Sequence, residues 1–429
     1  MHLAKLFYQS ILWRGLYFIS AFILNVLIAR YYKAADSGVI FYLINYYALI
    51  ILIVSLSLES ALGFYISKNE IAISKLINFS LLWTAIVSSG IFIFFWSQNK
   101  NALLAPAGLL AFTFISGNLL SSYCTAIFYA KKDFFLPNII FLGFNLLFII
   151  LLLSIDLLPA SFINKQSFLI LFFSSFLLQA VILVTILRYK YIRRYSFTLP
   201  SGIEYKKLLR YGIMAFAANI LFFLLCRVDY WFVKMYCTDT ELGNYIQVSK
   251  LAQIFFILPS ILSSAIFPLI VSAKNEELNT RLLSVIRFLI LFYCCCCLVL
   301  VLAGKWLFPF VFGETFTIMY LPYLFLIPGI LSLPGLYIVT AYFSAKNRIK
   351  INITGTFIAL LLVLLCDMIF IPGYGIKAAA LISSLGYFVY QVYVLWVFKR
   401  EQQIRFRDLL FLKASDITSV KKIFKRANI

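Results

Sequence analysis

The chain has 429 residues, 63% of them hydrophobic and only 12% charged, with a mean hydropathy of +0.98. No soluble core of this length hides so many apolar side chains, so composition excludes a soluble globular protein and points to an all-α polytopic membrane protein. The net charge of +21 is carried by loops between apolar segments, which is a topology signal and excludes nucleic acid as the partner it would otherwise suggest.

In chain order, Met1 to Ser10 carries Lys5 and leads into an apolar run with no small-residue cleavage site, so it reads as a first span and not as a cleaved signal. Twelve apolar segments follow from hydropathy, at about 11–32, 38–60, 76–97, 103–129, 135–154, 167–188, 209–236, 243–271, 282–304, 316–344, 350–371 and 376–398. Several exceed the roughly 20 residues that a bilayer needs, which implies tilting or projecting ends. The loops are short apart from Arg188–Arg210 and the tail after Lys399. The expected organisation is an N-terminal six-helix lobe over 1–188 and a basic cytoplasmic linker over 189–210. A C-terminal six-helix lobe over 211–399 and a basic tail over 400–429 follow. The tail mixes Phe406, Leu409, Leu410, Phe411, Ile423 and Phe424 with basic residues; it reads either as an interfacial helix on an anionic leaflet or as a disordered basic tail.

Charge sets the orientation. Of the 37 Lys and Arg, 28 fall in one set of alternate loops, counting Lys5, Arg14, Arg287, the middle loop and the tail. Seven fall in the opposite set: Arg30, Lys33, Lys100, Lys165, Lys234, Lys305 and Lys377. This asymmetry places both termini in the cytoplasm with an even number of spans. The two halves also echo each other. Ile66 to Glu70 after the second span returns as Val271 to Glu276 after the eighth, and Gly38 corresponds to Gly243. Tyr129-Ala130-Lys131-Lys132 with Asn138 and Gly143 returns as Ser344-Ala345-Lys346-Asn347 with Asn352 and Gly355. Two parallel six-span repeats are the arrangement of transporters that rock about a site near the midplane.

The most unusual stretch is Leu225-Cys226-Arg227-Val228-Asp229-Tyr230-Trp231, which sets an arginine and a carboxylate inside an apolar run. Each costs roughly 2.5–3.5 kcal/mol at membrane depth, so the segment is expected to face the protein interior. On the next segment come Gln247, Lys250 and Gln253. At about 1.5 Å per residue, Asp229 and Lys250 lie at similar depth, and an ion pair between them is expected. Glu59, near the cytoplasmic end of its span, is expected to pair with a base or to couple a cation. Asp367, close to the outer end of the eleventh span, reads as a solvated or paired structural acid. Pro322, Pro328 and Pro334 interrupt the tenth span as a hinge or a static kink. With His2 the only histidine and Cys294 to Cys297 consecutive inside a span, neither a metal site nor a disulfide framework is expected, and no cofactor.

These residues resemble the lipid-linked polysaccharide flippases of O-antigen and capsule synthesis, in the multidrug/oligosaccharidyl-lipid/polysaccharide exporter superfamily. The resemblance covers about residues 1–400. It is carried by Arg227-Val228-Asp229-Tyr230, Gly243-Asn244-Tyr245 with Lys250-Leu251-Ala252, Ile266-Phe267-Pro268 and Phe312-Gly313-Glu314 with Leu331. Ala341-Tyr342, Ala345-Lys346-Asn347-Arg348 and Gly373 to Ala380 complete the set. It implies two six-helix lobes around a V-shaped cavity that opens alternately to each side of the bacterial cytoplasmic membrane. It further implies movement of an undecaprenyl-pyrophosphate-linked oligosaccharide toward the outer leaflet, H+ or Na+ as coupling ion, and polysaccharide polymerase and chain-length proteins as partners. Two departures narrow it: the lipid II branch has more spans than this chain holds, and Trp13 to Tyr32 lacks the acid that many drug antiporters carry in the first span.

Such a cargo calls for cations and hydrogen-bonding groups inside a cavity, because its pyrophosphate and glycan must cross hydrocarbon. Arginine suits phosphate through its planar fork. The candidate cavity residues are Arg227, Lys250, Arg14, Arg30, Asn25, Gln247 and Gln253, with Asp229 and Glu59 as ion-pair or coupling candidates. Arg14 and Arg30 also read as basic residues snorkelling at helix ends. Asn25 and the glutamines also read as helix-to-helix ties. The function expected is a flippase, not an enzyme; a cation-coupled multidrug or metabolite antiporter on the same fold is the alternative. A membrane polymerase would need a large outer loop with catalytic Arg or His, and every outer loop here is short and histidine-free. In a background without native cysteines, cysteines at Lys165 or Lys305 should react with an impermeant thiol reagent applied outside. Cysteines at Lys190 or Arg348 should not; the reverse labelling pattern would overturn the orientation.

Overall fold

The computed structural model describes residues 2–98, 105–154, 165–192, 197–272 and 277–402. The helices are α1 (His2–Ser55), α2 (Leu58–Ser67), α3 (Ile73–Gln98), α4 (Ala105–Ala130), α5 (Phe135–Leu153) and α6 (Lys165–Tyr191). They continue with α7 (Gly202–Arg227), α8 (Asp229–Tyr236), α9 (Asp239–Ile254), α10 (Ile257–Ser272) and α11 (Glu277–Phe312). A 3₁₀ turn at Glu314–Met319 leads to α12 (Tyr320–Ala345) and α13 (Ile349–Gln402). No strand occurs among the described residues, as hydrocarbon demands of a chain with no closed barrel, since a helix satisfies every backbone group within one segment.

Ten helical stretches among these residues are long and apolar enough to cross a membrane. Two of them are double. α1 breaks at Lys33 (φ 63°, ψ 178°) and α13 at Gly375 (φ 58°, ψ −143°), leaving a span on either side of each. The twelve expected passes fit within these stretches, and the protein is an all-helical, multi-pass membrane protein. Large apolar side chains such as Ile150, Leu302 and Met214 stand exposed on the helices, where lipid covers them. The tail from 403 and residues 273–276 of the repeat motif lie outside the described residues. Arg287, counted above as a loop residue, is instead buried within α11.

The chain divides into two compact units, Met1–Tyr31 with Leu43–Ile220, and Tyr32–Tyr42 with Leu221–Ile429. The first is built around α4. Gly117 brings α4 so close to α6 that an added Cβ would stand 2.3 Å from the Phe176 carbonyl carbon. Leu119, Tyr123 and Phe128 pack with Leu62, Leu76 and Leu183 in the core beside it. Between α1 and α2 the second span breaks at Leu56 and Ser57, both left-handed with φ 48° and 50°. Such a conformation costs a non-glycine residue roughly 1–2 kcal/mol, and tertiary hydrogen bonds hold it. Trp83 Nε1 donates to the Val54 carbonyl at 2.9 Å and Tyr123 Oη to the Ser55 carbonyl at 3.3 Å. Asn219 Nδ2 donates to Ser57 Oγ at 3.1 Å. The start of α7 is tied into this unit by Lys75–Glu204 at 3.0 Å, Lys207–Glu70 at 3.4 Å and a Phe64–Tyr211 ring stack.

In the second unit α12 packs along α13. Proline at 328 weakens the α12 ladder, and Ser384 of α13 enters the gap. The Gly329 N–H donates to Ser384 Oγ at 3.1 Å, and that hydroxyl donates to the Phe325 carbonyl at 2.6 Å. A side chain thus replaces one rung of the helix. At the start of α9, Thr238 and Glu241 form a reciprocal capping box. Gly243 meets Ala34 backbone to backbone; a Cβ there would stand 1.9 Å from the Ala34 carbonyl oxygen. Ala34 N donates to Thr315 Oγ1 at 3.1 Å, and Asn244 Nδ2 to the Thr315 carbonyl at 3.0 Å. Replacing Gly243 by alanine should therefore destabilise the protein by about 1–3 kcal/mol through overpacking. Gly143→Ala, whose Cβ meets nothing within 4 Å, should not; thermal unfolding in detergent compares the two.

Candidate functional site

α7 and α8 meet at Val228, where the Trp231 N–H turns back to the Val228 carbonyl at 3.1 Å. This hitch sends Arg227 and Asp229 to different surroundings. Asp229 is buried. Its Oδ2 accepts from the Tyr245 hydroxyl on α9 and from Ser383 Oγ on α13, the latter at 2.7 Å, and the two hydroxyls are 3.1 Å apart. Its Oδ1 has no hydrogen-bond partner among the described residues. Asp367, also on α13, is 0% exposed with neither carboxylate oxygen partnered, and lies within reach of the charge on Asp229.

The Arg227 guanidinium lies within reach of the Asp229 charge, but its hydrogen bond goes elsewhere. Arg227 Nη2 donates to Gln253 Oε1 at 3.3 Å, its guanidinium carbon stands 5.4 Å from the Phe223 ring centroid, and Gln253 Nε2 donates to the Tyr230 hydroxyl at 3.4 Å. Lys250 Nζ sits 3.3 Å from the centroid of the Phe41 ring, within reach of the Arg227 charge. Gln247 is buried with Nε2 unpartnered among the described residues.

The expected Asp229–Lys250 ion pair is not formed. Neither depth nor azimuth matches: Lys250 lies about one turn deeper in α9 than Tyr245, which holds Asp229, and at about 100° per residue it points some 140° away from it. Asp367 is not the solvated or paired acid expected. Its helix runs on to the break at Gly375, so it lies about eight residues or 12 Å deep, close to the distance of Asp229 from the end of α8. Glu59 forms no ion pair among the described residues, and its Oε2 is buried without a partner. Arg14, Arg30, Asn25 and Glu59 lie in the first unit. Arg14 stands over the Tyr129 ring at 5.1 Å, Arg30 is exposed, and Asn25 Nδ2 donates to the Ala21 carbonyl at 2.7 Å. Sequence reasoning quoted Tyr245 within the Gly243-Asn244-Tyr245 motif but missed it as a partner of Asp229, and it missed Ser383, whose only signal was its polarity in an apolar segment.

No family model matches the chain, and no curated protein does. Among solved structures it is similar to the lipid II flippase MurJ in an inward closed conformation, with TM-score 0.72 and 17% identity, over 97% of this chain and 92% of that one. It is similar to a multidrug resistance MATE family transporter of the MOP superfamily in an inward-facing conformation, with TM-score 0.69 and 13% identity, over 90% and 94%. It is also similar to the Vibrio cholerae MATE transporter VcmN in its bent form, with TM-score 0.61 and 12% identity, over 94% and 97%. At such identities the likeness defines the fold. The chain has the fold of MOP superfamily transporters; the narrower resemblance to polysaccharide flippases rests on the motifs in its sequence.

Asp229→Ala should lower the melting temperature, because two buried hydroxyls lose the carboxylate to which both donate, at about 1–3 kcal/mol. Adding Lys250→Ala should restore nothing, with a coupling within about 0.5 kcal/mol of zero. Asp229→Asn combined with Ser383→Ala should show clear coupling in the same cycle.

Proposed function

We propose that the protein moves a lipid-linked oligosaccharide, carried on a polyprenyl pyrophosphate, across the bacterial cytoplasmic membrane for surface polysaccharide synthesis. The observation that carries this reading is the Arg227 guanidinium, donating to Gln253 and standing over the Phe223 ring inside a membrane unit, with the Lys250 side chain within its reach. Like charges placed together at that depth suit an anion with several oxygens, and the arginine fork offers a phosphate two parallel hydrogen bonds. Gln253 orients Arg227, and Gln247 offers an unpartnered amide. The isoprenoid tail needs no site, since it remains in lipid. The likeness to a lipid II flippase supports a lipid-linked cargo.

The Asp229–Asp367 pair serves as the coupling site in this reading. Two carboxylates in an apolar interior are costly without a counter-charge, and they hold one H+ or Na+ between them beside the Tyr245 and Ser383 hydroxyls. Cation movement then drives the cycle without nucleotide, and no phosphate-binding glycine loop occurs in the sequence. Both termini face the cytoplasm, and polymerase and chain-length proteins act next. A second reading, a cation-coupled multidrug or metabolite antiporter, is favoured by the same acid pair and by the likeness to MATE transporters.

Purified protein in vesicles should flip a polyprenyl-pyrophosphate oligosaccharide without altering it. Arg227→Gln should lower the rate at least about tenfold, the size of a lost charge-assisted hydrogen bond, at unchanged protein level, with Arg227→Lys intermediate. Asp229→Asn with Asp367→Asn should abolish its dependence on a cation gradient. Full activity in Arg227→Gln would remove the anion site, and exchange of organic cations for Na+ or H+ without lipid-linked cargo would favour the antiporter.

A further inference from the structure

The first unit contains a cavity of about 360 Å³ that takes no part in the anion and coupling sites described above. One wall is a polar stripe on α4, where Asn118, Ser121, Ser122, Thr125 and Tyr129 recur every three or four residues on one helix face. Glu59 enters from α2, directly after the strained Leu56–Ser57 break. Strain of this kind in a non-glycine backbone persists where the surrounding structure enforces it, commonly at ligand sites. Glu59 Oε2 and Thr125 Oγ1 are both buried and without a hydrogen-bond partner.

The cavity is rich in acceptors. Asn118 donates its amide to the Phe114 carbonyl at 2.9 Å and Ser122 its hydroxyl to the Leu119 carbonyl at 2.8 Å. Their remaining oxygen capacity, with that of Glu59, asks for donors. No Lys, Arg or His is among the described residues lining the cavity, and the nearby Arg14 stands over the Tyr129 ring at 5.1 Å, with no ion pair to Glu59 among the described residues. An acid without an ion-pair partner suits a positive group and repels pyrophosphate. Tyr17, Phe141 and Phe176 supply aromatic walls, which an alkali ion needing a close shell of oxygens would not use.

We infer that this cavity binds an amine-bearing sugar residue, its ammonium on Glu59, its hydroxyls along the α4 stripe and its ring face against the aromatic walls. The inference rests on the reading of the cargo as a glycan. The volume lies at the small end of ligand pockets, about 300–1,000 Å³, which suits one or two sugar rings. Glu59 contributes charge-assisted hydrogen bonds, and the rings attract the ammonium through their faces. Cargo without an amine binds less well.

The test titrates purified full-length protein with glucosamine, read by intrinsic fluorescence and by thermal stabilisation. Glucose, N-acetylglucosamine and ethanolamine serve as comparators. Glucosamine should bind at least about tenfold more tightly than any of the three, one charge-assisted hydrogen bond's worth. Glu59→Gln and Thr125→Val should each weaken it, and Arg227→Gln should leave it unchanged. The Thr125 variant, which alters no charge, keeps the test intact if Glu59→Gln fails to fold. Absent glucosamine binding, equal binding by Glu59→Gln and wild type, or ethanolamine binding as tightly as glucosamine would overturn the inference. Glucose binding as tightly would remove the role of the charge and overturn it equally. Glucosamine binding in protein that flips no lipid-linked cargo would count against the transport reading and leave the sugar site standing.

Discussion

The second unit depends on the burial of the Asp229 carboxylate at membrane depth with hydroxyls, and no base, as its hydrogen-bond donors. A charge in hydrocarbon must find partners within the protein, and Asp229 finds them on two other helices. Tyr245 brings α9 to it and Ser383 brings α13. One side chain thereby sets the mutual rotation of α8, α9 and α13, and with it the side of α9 on which Lys250 lies. Neither hydroxyl carries charge, and Asp229 Oδ1 and both Asp367 oxygens keep no hydrogen-bond partner among the described residues.

The interruptions in the helices show the same economy of satisfied groups. In lipid a broken helix exposes backbone donors and acceptors that water cannot reach. At Leu56–Ser57 the freed carbonyls are taken by Trp83 and Tyr123. At Gly329 the lost rung is rebuilt through Ser384. Each repair comes from a neighbouring helix, so each break also fixes a packing contact. The prolines of α12 are consequently held in place by α13, and the break in the second span aims Glu59 into the α4 cavity.

Small residues set how closely these helices approach. Gly117 admits the backbone of α6 and Gly243 that of Ala34, consistent with the reliance of membrane helices on small residues for close packing. The correspondence of Gly38 with Gly243 was visible as a repeat half the chain apart. The structure adds that the two touch, since a Cβ on Gly38 would stand 2.6 Å from the Gly243 nitrogen. Positions equivalent in a repeat thus meet at one crossing.

The sequence by itself determined that the chain is a membrane protein, that its spans are helical and about twelve in number, and where those among the described residues lie. Hydropathy and lipid leave the backbone no other solution, so these properties are local and readable in order along the chain. It also marked Arg227 and Asp229 as an interior pair, because ionised residues in an apolar run stand out against their neighbours. Partnership was different. The choice of Tyr245 and Ser383 for Asp229, the placement of Lys250 over Phe41, the depth of Asp367 and the isolation of Glu59 were decided only in the tertiary structure. Each depends on the rotation of one helix against another, or on where a helix ends within one turn. Hydropathy averages over both, because a bilayer constrains how far a helix reaches across it and not which way its side chains turn.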